Sequence, residues 1–376
     1  MKLALKNIAT DAKRPVDKGL LITFVTLLLT GLVVLYAASY YNAQDGGSSL
    51  ADVYSQLLGI AVGAAGMAVM IRIDYRWLAK PQVCAALLLA SLVMLVLVAI
   101  PGIGRMLNGS RRWLRLGPVS FQPSEMAKYA MILYMARALS RKNSKIERLI
   151  VGLAPMFVVP GTMFFLILLQ PNLSTAGSIL IVAAVMVMMA GARWLHLGAI
   201  GAAGVALGTF YALSEDYRRA RLFSFTHPFD FLTNEGYQLS QSLLAFGSGG
   251  LFGMGLGKGR QKYAFLPYPE SDFIFAVVGE DLGLIGCIGV LTLFLAFVFF
   301  GMRVAIRCSD RFGSLLAAGI TSMIGVQVVL NVAVVIGVMP TTGLPLPFFS
   351  AGGTSISIVM CAVAVVMNIS MRMEQL

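Results

Sequence analysis

Apolar residues in this chain come in long unbroken runs, not in strand-like alternation or as one-sided stripes on polar helices. Ten such runs lie at about 20–41, 53–72, 83–101, 126–139, 150–169, 175–192, 195–213, 273–301, 313–336 and 352–371. Roughly 20 apolar residues cross a bilayer as an α-helix, so each run predicts a membrane span, the fourth being the shortest. A β-barrel would show short segments of alternating polarity instead. The first run exceeds the apolar part of a cleavable signal peptide and reads as a signal anchor that stays in place. The expected architecture is all-α and polytopic: a single ten-helix membrane domain over 20–371, between tails at 1–19 and 372–376.

The polar residues between the runs orient the chain, because Lys and Arg concentrate in cytoplasmic loops. The N-terminal tail carries Lys2, Lys6, Lys13, Arg14 and Lys18. Alternate loops carry Arg72, Arg76 and Lys80, then Arg137 to Arg148, then Arg193, then Arg303, Arg307 and Arg311, and Arg372 follows the last run. Both termini are therefore expected in the cytoplasm, with 42–52, 102–125, 170–174, 214–272 and 337–351 outside and 214–272 as the large extracytoplasmic loop. Two outside segments break the rule. One holds Arg105, Arg111, Arg112 and Arg115; the other holds Arg218, Arg219, Arg221, Lys258, Arg260 and Lys262. Cations kept on the wrong side point to an anionic partner at the outer surface.

Composition narrows the class. Of 376 residues, 58% are hydrophobic and 12% charged, against about a quarter charged in soluble domains, which leaves no room for a sizeable soluble domain. The net charge of +12 is accounted for by basic loops facing anionic lipid, and nucleic acid is not expected as a partner. Cys84, Cys287, Cys308 and Cys361 form no CxxC pair, and His196 and His227 stand apart, so neither a disulfide nor a protein-held metal is predicted.

Four constellations carry candidate chemistry. The first runs from Gly109 through Arg111, Arg112, Trp113 and Arg115 to Pro118, then Gln122-Pro123-Ser124-Glu125-Met126-Ala127-Lys128. Arginine donates two parallel hydrogen bonds to a phosphate, and an adjacent Trp suits a sugar face or the headgroup level. Ser124 suits the cap of a helix starting at Glu125, and Glu125 and Lys128 share a face, as a structural ion pair or as part of a site. The second joins Gly236-Tyr237-Gln238 to the glycine-rich stretch Gly247 to Lys258; such backbone can approach a phosphate, and close helix packing explains it equally well. The third is Pro267-Tyr268-Pro269-Glu270-Ser271-Asp272-Phe273-Ile274-Phe275, followed by Glu280 and Asp281. Asp272 stands at the outer mouth of the eighth run, where low-dielectric walls would suit it as a general base, while Ser271-Asp272 would also serve as a helix cap. Glu280 is expected within the bilayer, where an ionisable group marks a candidate site. The fourth, Pro340 to Thr354, contains three prolines, three glycines and Ser350, and breaks the helix at the outer face. Gln327 and Asn331 precede it on one helical face and should bond to another helix.

Together these stretches resemble the signature motifs of the SEDS family (shape, elongation, division and sporulation proteins: RodA, FtsW, SpoVE) along essentially the whole chain. The glycine-rich stretch and Pro340-Thr341-Thr342-Gly343 are more similar to the division and sporulation branch. The resemblance implies a ten-span bacterial inner-membrane enzyme that polymerises lipid II into glycan strands on the extracytoplasmic side. It implies a single-span class B penicillin-binding protein as partner, among other division or elongation membrane proteins. It places the catalytic aspartate on Asp272, substrate handling on Arg112 and Trp113, and the membrane ion pair on Glu125 and Lys128. Arg111, Arg221, Arg260 and Lys262 would help to neutralise the diphosphate of the undecaprenyl-linked glycan, with Glu280 and Ser350 also at the substrate. No protein-held cofactor is implied, although a divalent cation would fit at the diphosphate. Three departures stand out: Pro269-Glu270-Ser271-Asp272 lacks the family's histidine, Asn172 replaces an aspartate, and Ala351 replaces a tyrosine. Two other readings share these residues: a flippase for the lipid-linked precursor, lined by Glu125, Lys128, Glu280, Gln327 and Asn331, and a non-catalytic scaffold for the transpeptidase.

Overall fold

The computed structural model describes residues 15–39, 50–107, 110–116, 119–141, 152–195, scattered positions from 198 to 213, 225–230, 236–341 and 343–373. The main elements are α1 (Lys18–Ser39), α2 (Leu50–Arg72), α3 (Pro81–Ala99), β1 (Gly104–Leu107), β2 (Ser110–Leu116), β3 (Val119–Phe121), α4 (Pro123–Arg141), α5 (Val158–Leu168), α6 (Leu173–Met189), α7 (Tyr237–Gly249), α8 (Gln261–Ala264), α9 (Ile274–Arg307), α10 (Arg311–Val335) and α11 (Gly353–Arg372). Six helices are long and apolar enough to cross a membrane: α1, α2, α3, α9, α10 and α11. Nine of the ten expected spans coincide with described helices; the run at 195–213 falls on residues described only at scattered positions. The chain is a multi-pass helical membrane protein.

Helix α4 is less apolar than its neighbours and well enclosed. Met131, Ile132, Met135, Ala136 and Leu139 are fully buried, and Gly319 on α10 faces Ile132 and Met186. The charge of Glu125 and Lys128 is thus carried by a central helix, which lipid does not wet. At the Arg-rich end, polar side chains tie the helices together. Asp310 caps α10 through Gly313 N (3.0 Å), and Asn368 of α11 donates to the carbonyls of Met70, Ile71 and Ile73 (3.0, 2.8 and 2.7 Å), closing the end of α2. Arg303 pairs with Asp17, and Arg372 with Asp74 at 3.2 Å.

Three features depart from the sequence reading. The segment after α3 is a three-stranded antiparallel sheet in the order β1-β2-β3, so the fold is not purely helical. Its strands pair Arg105 with Trp113 and Leu114 with Phe121; four- and three-residue strands are too short to show as periodicity. Helix α4 begins at Pro123, so Ser124 lies inside its first turn and accepts from Gln122 Nε2 (3.0 Å) instead of capping. Finally, α9 has 34 residues and is broken at Gly283 (φ 66°, ψ −166°). The part after Gly283 is about 36 Å long and supplies a span by itself. Glu280 therefore belongs to a short helix on the Asp272 side of the break, not to the span as its place in the apolar run predicts.

Between α10 and α11 the chain forms a non-helical strap, 343–352. Phe348 pins it into the bundle, packing on Phe24, Phe294 and Phe297 at centroid distances of 5.7, 6.4 and 5.8 Å. Phe348 has φ 68°, a conformation that bulky residues rarely hold unless their surroundings fix it.

Candidate active site

Asp272 closes the turn before α9, directly ahead of buried Phe273, Ile274 and Phe275. The three carbonyls of Glu270, Ser271 and Asp272 are each fastened. Ala351 N donates to Glu270 O (2.8 Å), Ser350 Oγ to Ser271 O (2.6 Å), and Asn331 Nδ2 to Asp272 O (2.8 Å). The same Asn331 amide donates to Leu344 O at 2.8 Å, and Ser350 Oγ accepts from Leu346 N at 2.8 Å. Gln56 of α2 holds the far end of the strap, accepting from Gly352 N (3.1 Å). Asp272 is thus presented by a backbone stitched to the strap and to α10.

The Asp272 carboxylate accepts from Ser271 Oγ at 3.2 Å. Burial raises its pKa to about 6, against the opposing pull of the Ser271 hydrogen bond and the Arg112 charge. Arg112 approaches from β2, 160 positions earlier in the numbering. Its Nε donates to Gln170 O (3.1 Å), its other end bonds Pro171 O, and Gln170 itself donates to Leu95 O (3.2 Å). Gly343 of the strap runs alongside: a Cβ there would stand 3.0 Å from Asp272 Oδ2 and 3.2 Å from Arg112 Nη1. Glu270 also lies in this region; burial, with the Asp52 and Asp272 charges, raises its pKa.

The register of β1 and β2 shifts between Arg105 and Met106, which makes Arg112 the extra residue of a bulge. Arg111 pairs with Met106 and Trp113 with Arg105, so those two lie on opposite faces, Arg111 on the face of buried Leu114; Arg115 is exposed. Trp113 is partly buried beside Arg105.

Glu125 and Lys128 form a buried ion pair of 2.7 Å, 1% and 0% exposed, and Ser355 Oγ of α11 donates to the second Glu125 oxygen at 2.8 Å. Asn172 caps α6 by accepting from Thr175 N (3.3 Å). Ala351 lines a cavity of about 20 Å³ between the strap and α11, shared with Gln327 and Ser355.

The glycine-rich stretch packs against the break in α9. There Glu280 and Asp281 carbonyls accept from Met254 N and Gly255 N (2.9 Å each), while Leu284 N and Ile285 N donate to Gly250 O and Leu251 O (2.9 and 3.2 Å). The two carboxylates hold the same loop. Glu280 accepts from Arg260 N and Gln261 N (2.5 and 2.9 Å), and Asp281 from Gly257 N and Gly259 N (2.9 and 3.0 Å). Lys262 Nζ lies 2.6 Å from Asp281. Lys262 and Glu280, expected at the substrate, are thus engaged in building this loop, and its glycines serve close backbone approach. The Arg260 and Lys258 residues are exposed. Arg221, like Arg218 and Arg219, lies outside the described residues. Among the described residues no group of three His, Cys, Asp or Glu side chains is placed to hold a metal ion.

Sequence reasoning brought Asp272, Arg112, Ser350 and Asn331 to notice, and the structure gathers these four. It did not find Gly343 or the carbonyls of Gln170 and Pro171. Backbone acceptors leave no mark on residue type, and one glycine among three in a loop is not distinctive.

Comparison with known proteins fits this arrangement. A family model described as "Cell cycle protein", spanning FtsW, RodA and SpoVE, matches residues 18–375. The chain is 40% identical over 378 positions to the probable peptidoglycan glycosyltransferase FtsW of Geobacter metallireducens, covering 99% of this chain and 98% of that one. It is 40% identical over 366 positions to stage V sporulation protein E of Bacillus subtilis, covering 96% and 98%. Among solved structures, a chain of a peptidoglycan synthase complex that coordinates polymerization and crosslinking matches with TM-score 0.79 at 28% identity, covering 94% and 97%. The rod shape determining protein RodA of Thermus thermophilus matches with TM-score 0.70 at 28% identity, covering 96% and 98%. With the match spanning nearly every residue, the chain belongs to the FtsW, RodA and SpoVE family of cell cycle proteins.

Proposed function

We propose that this protein is a peptidoglycan glycosyltransferase that polymerises lipid II at the outer leaflet of the bacterial cytoplasmic membrane. The observation that carries this reading is the meeting of Asp272 and Arg112 beside the strap. A half-buried carboxylate with a pKa of about 6 is ionised near neutral pH, yet basic enough to take a proton. Asp272 takes the proton of the acceptor sugar's 4-hydroxyl as its oxygen bonds to the donor's anomeric carbon. The bond from that carbon to the undecaprenyl diphosphate breaks, its electron pair leaves on the diphosphate oxygen, and the anomeric centre inverts. Arg112 supplies positive charge as the leaving group develops. Arg111, Trp113 and exposed Arg260 are assigned to the rest of the substrate. A divalent cation, if used, is carried by the diphosphate, and no step is assigned to it.

The Lys and Arg distribution supports cytoplasmic termini and an outward-facing Asp272. The likeness to a synthase complex supports a class B penicillin-binding protein as partner, and the FtsW and SpoVE relatives support the division and sporulation branch. The flippase reading loses support because Glu125, Lys128 and Glu280 are engaged within the protein instead of lining a path. The test is polymerisation of labelled lipid II by purified chain, alone and with a class B partner. Strands from wild type and none from Asp272→Ala are expected; equal rates from both would remove Asp272 as the base.

A further inference from the structure

Helix α10 carries two buried amides one turn apart, and only one of them is met directly. Asn331 donates to Asp272 O and Leu344 O, both at 2.8 Å. Gln327 is 2% exposed, and its carboxamide makes no hydrogen bond among the described residues. Burying an amide without a partner is costly, and native proteins meet nearly all such groups with protein or with ordered water. Gln327 lines the cavity of about 20 Å³ between the strap and α11, together with Ser350, Ala351 and Ser355. A water molecule needs about 10–15 Å³ of such space, so the cavity takes one. Both hydroxyls on the wall spend their hydrogens elsewhere, Ser350 Oγ on Ser271 O (2.6 Å) and Ser355 Oγ on Glu125 (2.8 Å). Each has only a lone pair to offer the cavity. Pro345 and Pro347, also on the wall, bring no N–H. Among the described residues no charged side chain lines the cavity, so a metal ion would find no counter-charge there. The walls call for a small neutral molecule that donates hydrogens.

We infer that this cavity is a binding site for one structural water molecule, which bonds the Gln327 carboxamide and donates its two hydrogens to the oxygens of Ser350 and Ser355. The bridge joins three elements at one point: α10 through Gln327, the strap through Ser350 and α11 through Ser355. Ser350 fastens the carbonyl next to Asp272, and Ser355 holds the second oxygen of Glu125. One molecule therefore links the turn that presents Asp272 to the buried ion pair of α4. Ala351 lines the cavity with a single methyl group, so a larger side chain there takes the molecule's place.

The experiment has two arms, both on the purified full chain. A crystallographic map at a resolution that shows ordered water should contain one peak in the cavity, about 2.7–3.2 Å from the Gln327 carboxamide. No peak there overturns the site. The second arm compares melting temperatures in detergent for wild type, Ala351→Val, Gln327→Leu and the double variant. Filling a cavity that holds nothing adds contacts and stabilises, whereas displacing a water that satisfies buried polar groups destabilises. Ala351→Val is therefore expected to melt about 2 °C or more below wild type, and an unchanged or higher melting temperature overturns the site. Crowding by the added methyl groups would also lower it, and the Gln327→Leu background separates the two causes. Leucine needs no partner, so Ala351→Val should cost markedly less there. An equal loss in both backgrounds means crowding alone and overturns the bridge. Neither arm uses lipid II, so the result is independent of the proposed reaction.

Discussion

The Lys262 ammonium and the Asp281 carboxylate lie 2.6 Å apart with almost no exposure, joining the two ends of the stretch that carries Asp272. Removing one member of a buried pair strands the other charge and costs about 3–5 kcal/mol. Lys262→Met should therefore lower the melting temperature in detergent markedly. The double variant Lys262→Met/Asp281→Asn should recover part of the loss, because no charge is left stranded, although the single amide oxygen keeps only one of the bonds from Gly257 N and Gly259 N. Equal melting of the single and double variants would argue against the pair.

Polymerisation should depend on pH through Asp272. A base works when deprotonated, so with a pKa of about 6 activity should rise with pH through that value and fall roughly tenfold per unit below it. Ser271→Ala removes a hydrogen bond that favours the ionised form, so its acidic limb should move to higher pH. Initial rates from pH 5 to 8 measure both, and an unmoved limb in Ser271→Ala would separate the titration from Asp272.

The central ion pair of α4 makes a different prediction. Lys128→Met should destabilise the protein by about 3–5 kcal/mol, since Glu125 would remain buried without its cation. Ser355→Ala should cost less, about 1.5–3 kcal/mol, as the loss of one hydrogen bond to a charged group. Chemical unfolding in detergent would rank them, and the reverse order would show that Ser355 bears more of the Glu125 charge than Lys128 does.

Gly283→Ala tests the helix break. The φ of 66° disfavours alanine, and a Cβ would run into the Gly253 nitrogen and the Leu251 carbonyl at distances real side chains do not reach. The glycine-rich loop should then release, and trypsin should cut faster at exposed Lys258 and Arg260. Unchanged digestion would mean that the loop does not depend on the break.

Much of this was legible beforehand because membrane spans are written in composition. Long apolar runs fall on nine described helices, although α5 begins eight residues inside its run and α9 extends six beyond its own, and the outside arginines pointed to the segment that holds Arg112. What the sequence concealed depends on backbone. Two of the sheet's strands, β1 and β3, are too short for periodicity to register. The break at Gly283 follows Glu280 and Asp281 in an otherwise apolar run, and its freed carbonyls are met by N–H groups that every residue possesses. Lys262 looked like an anion ligand because its partner, Asp281, lies 19 positions away in sequence and no local rule joins them. Asn331 is expected to bond to another helix; it bonds instead to the carbonyls of Asp272, in the turn before α9, and of Leu344, in the strap.

Helix α2 turns Gln56, Gly59, Gly63 and Gly66 toward α11, and Gly59 meets Gly353 backbone to backbone. Ser357 Oγ donates to Gly59 O at 2.7 Å. Surfaces that interdigitate at this range have few intermediate registers; they slide by a whole turn, about 5.4 Å, or stay put. The two helices therefore act mechanically as one beam, and Gln56 extends that beam to the end of the strap. Any widening that admits a lipid-linked sugar must then come from the opposite wall, where Arg112 of β2 bonds the Gln170–Pro171 turn.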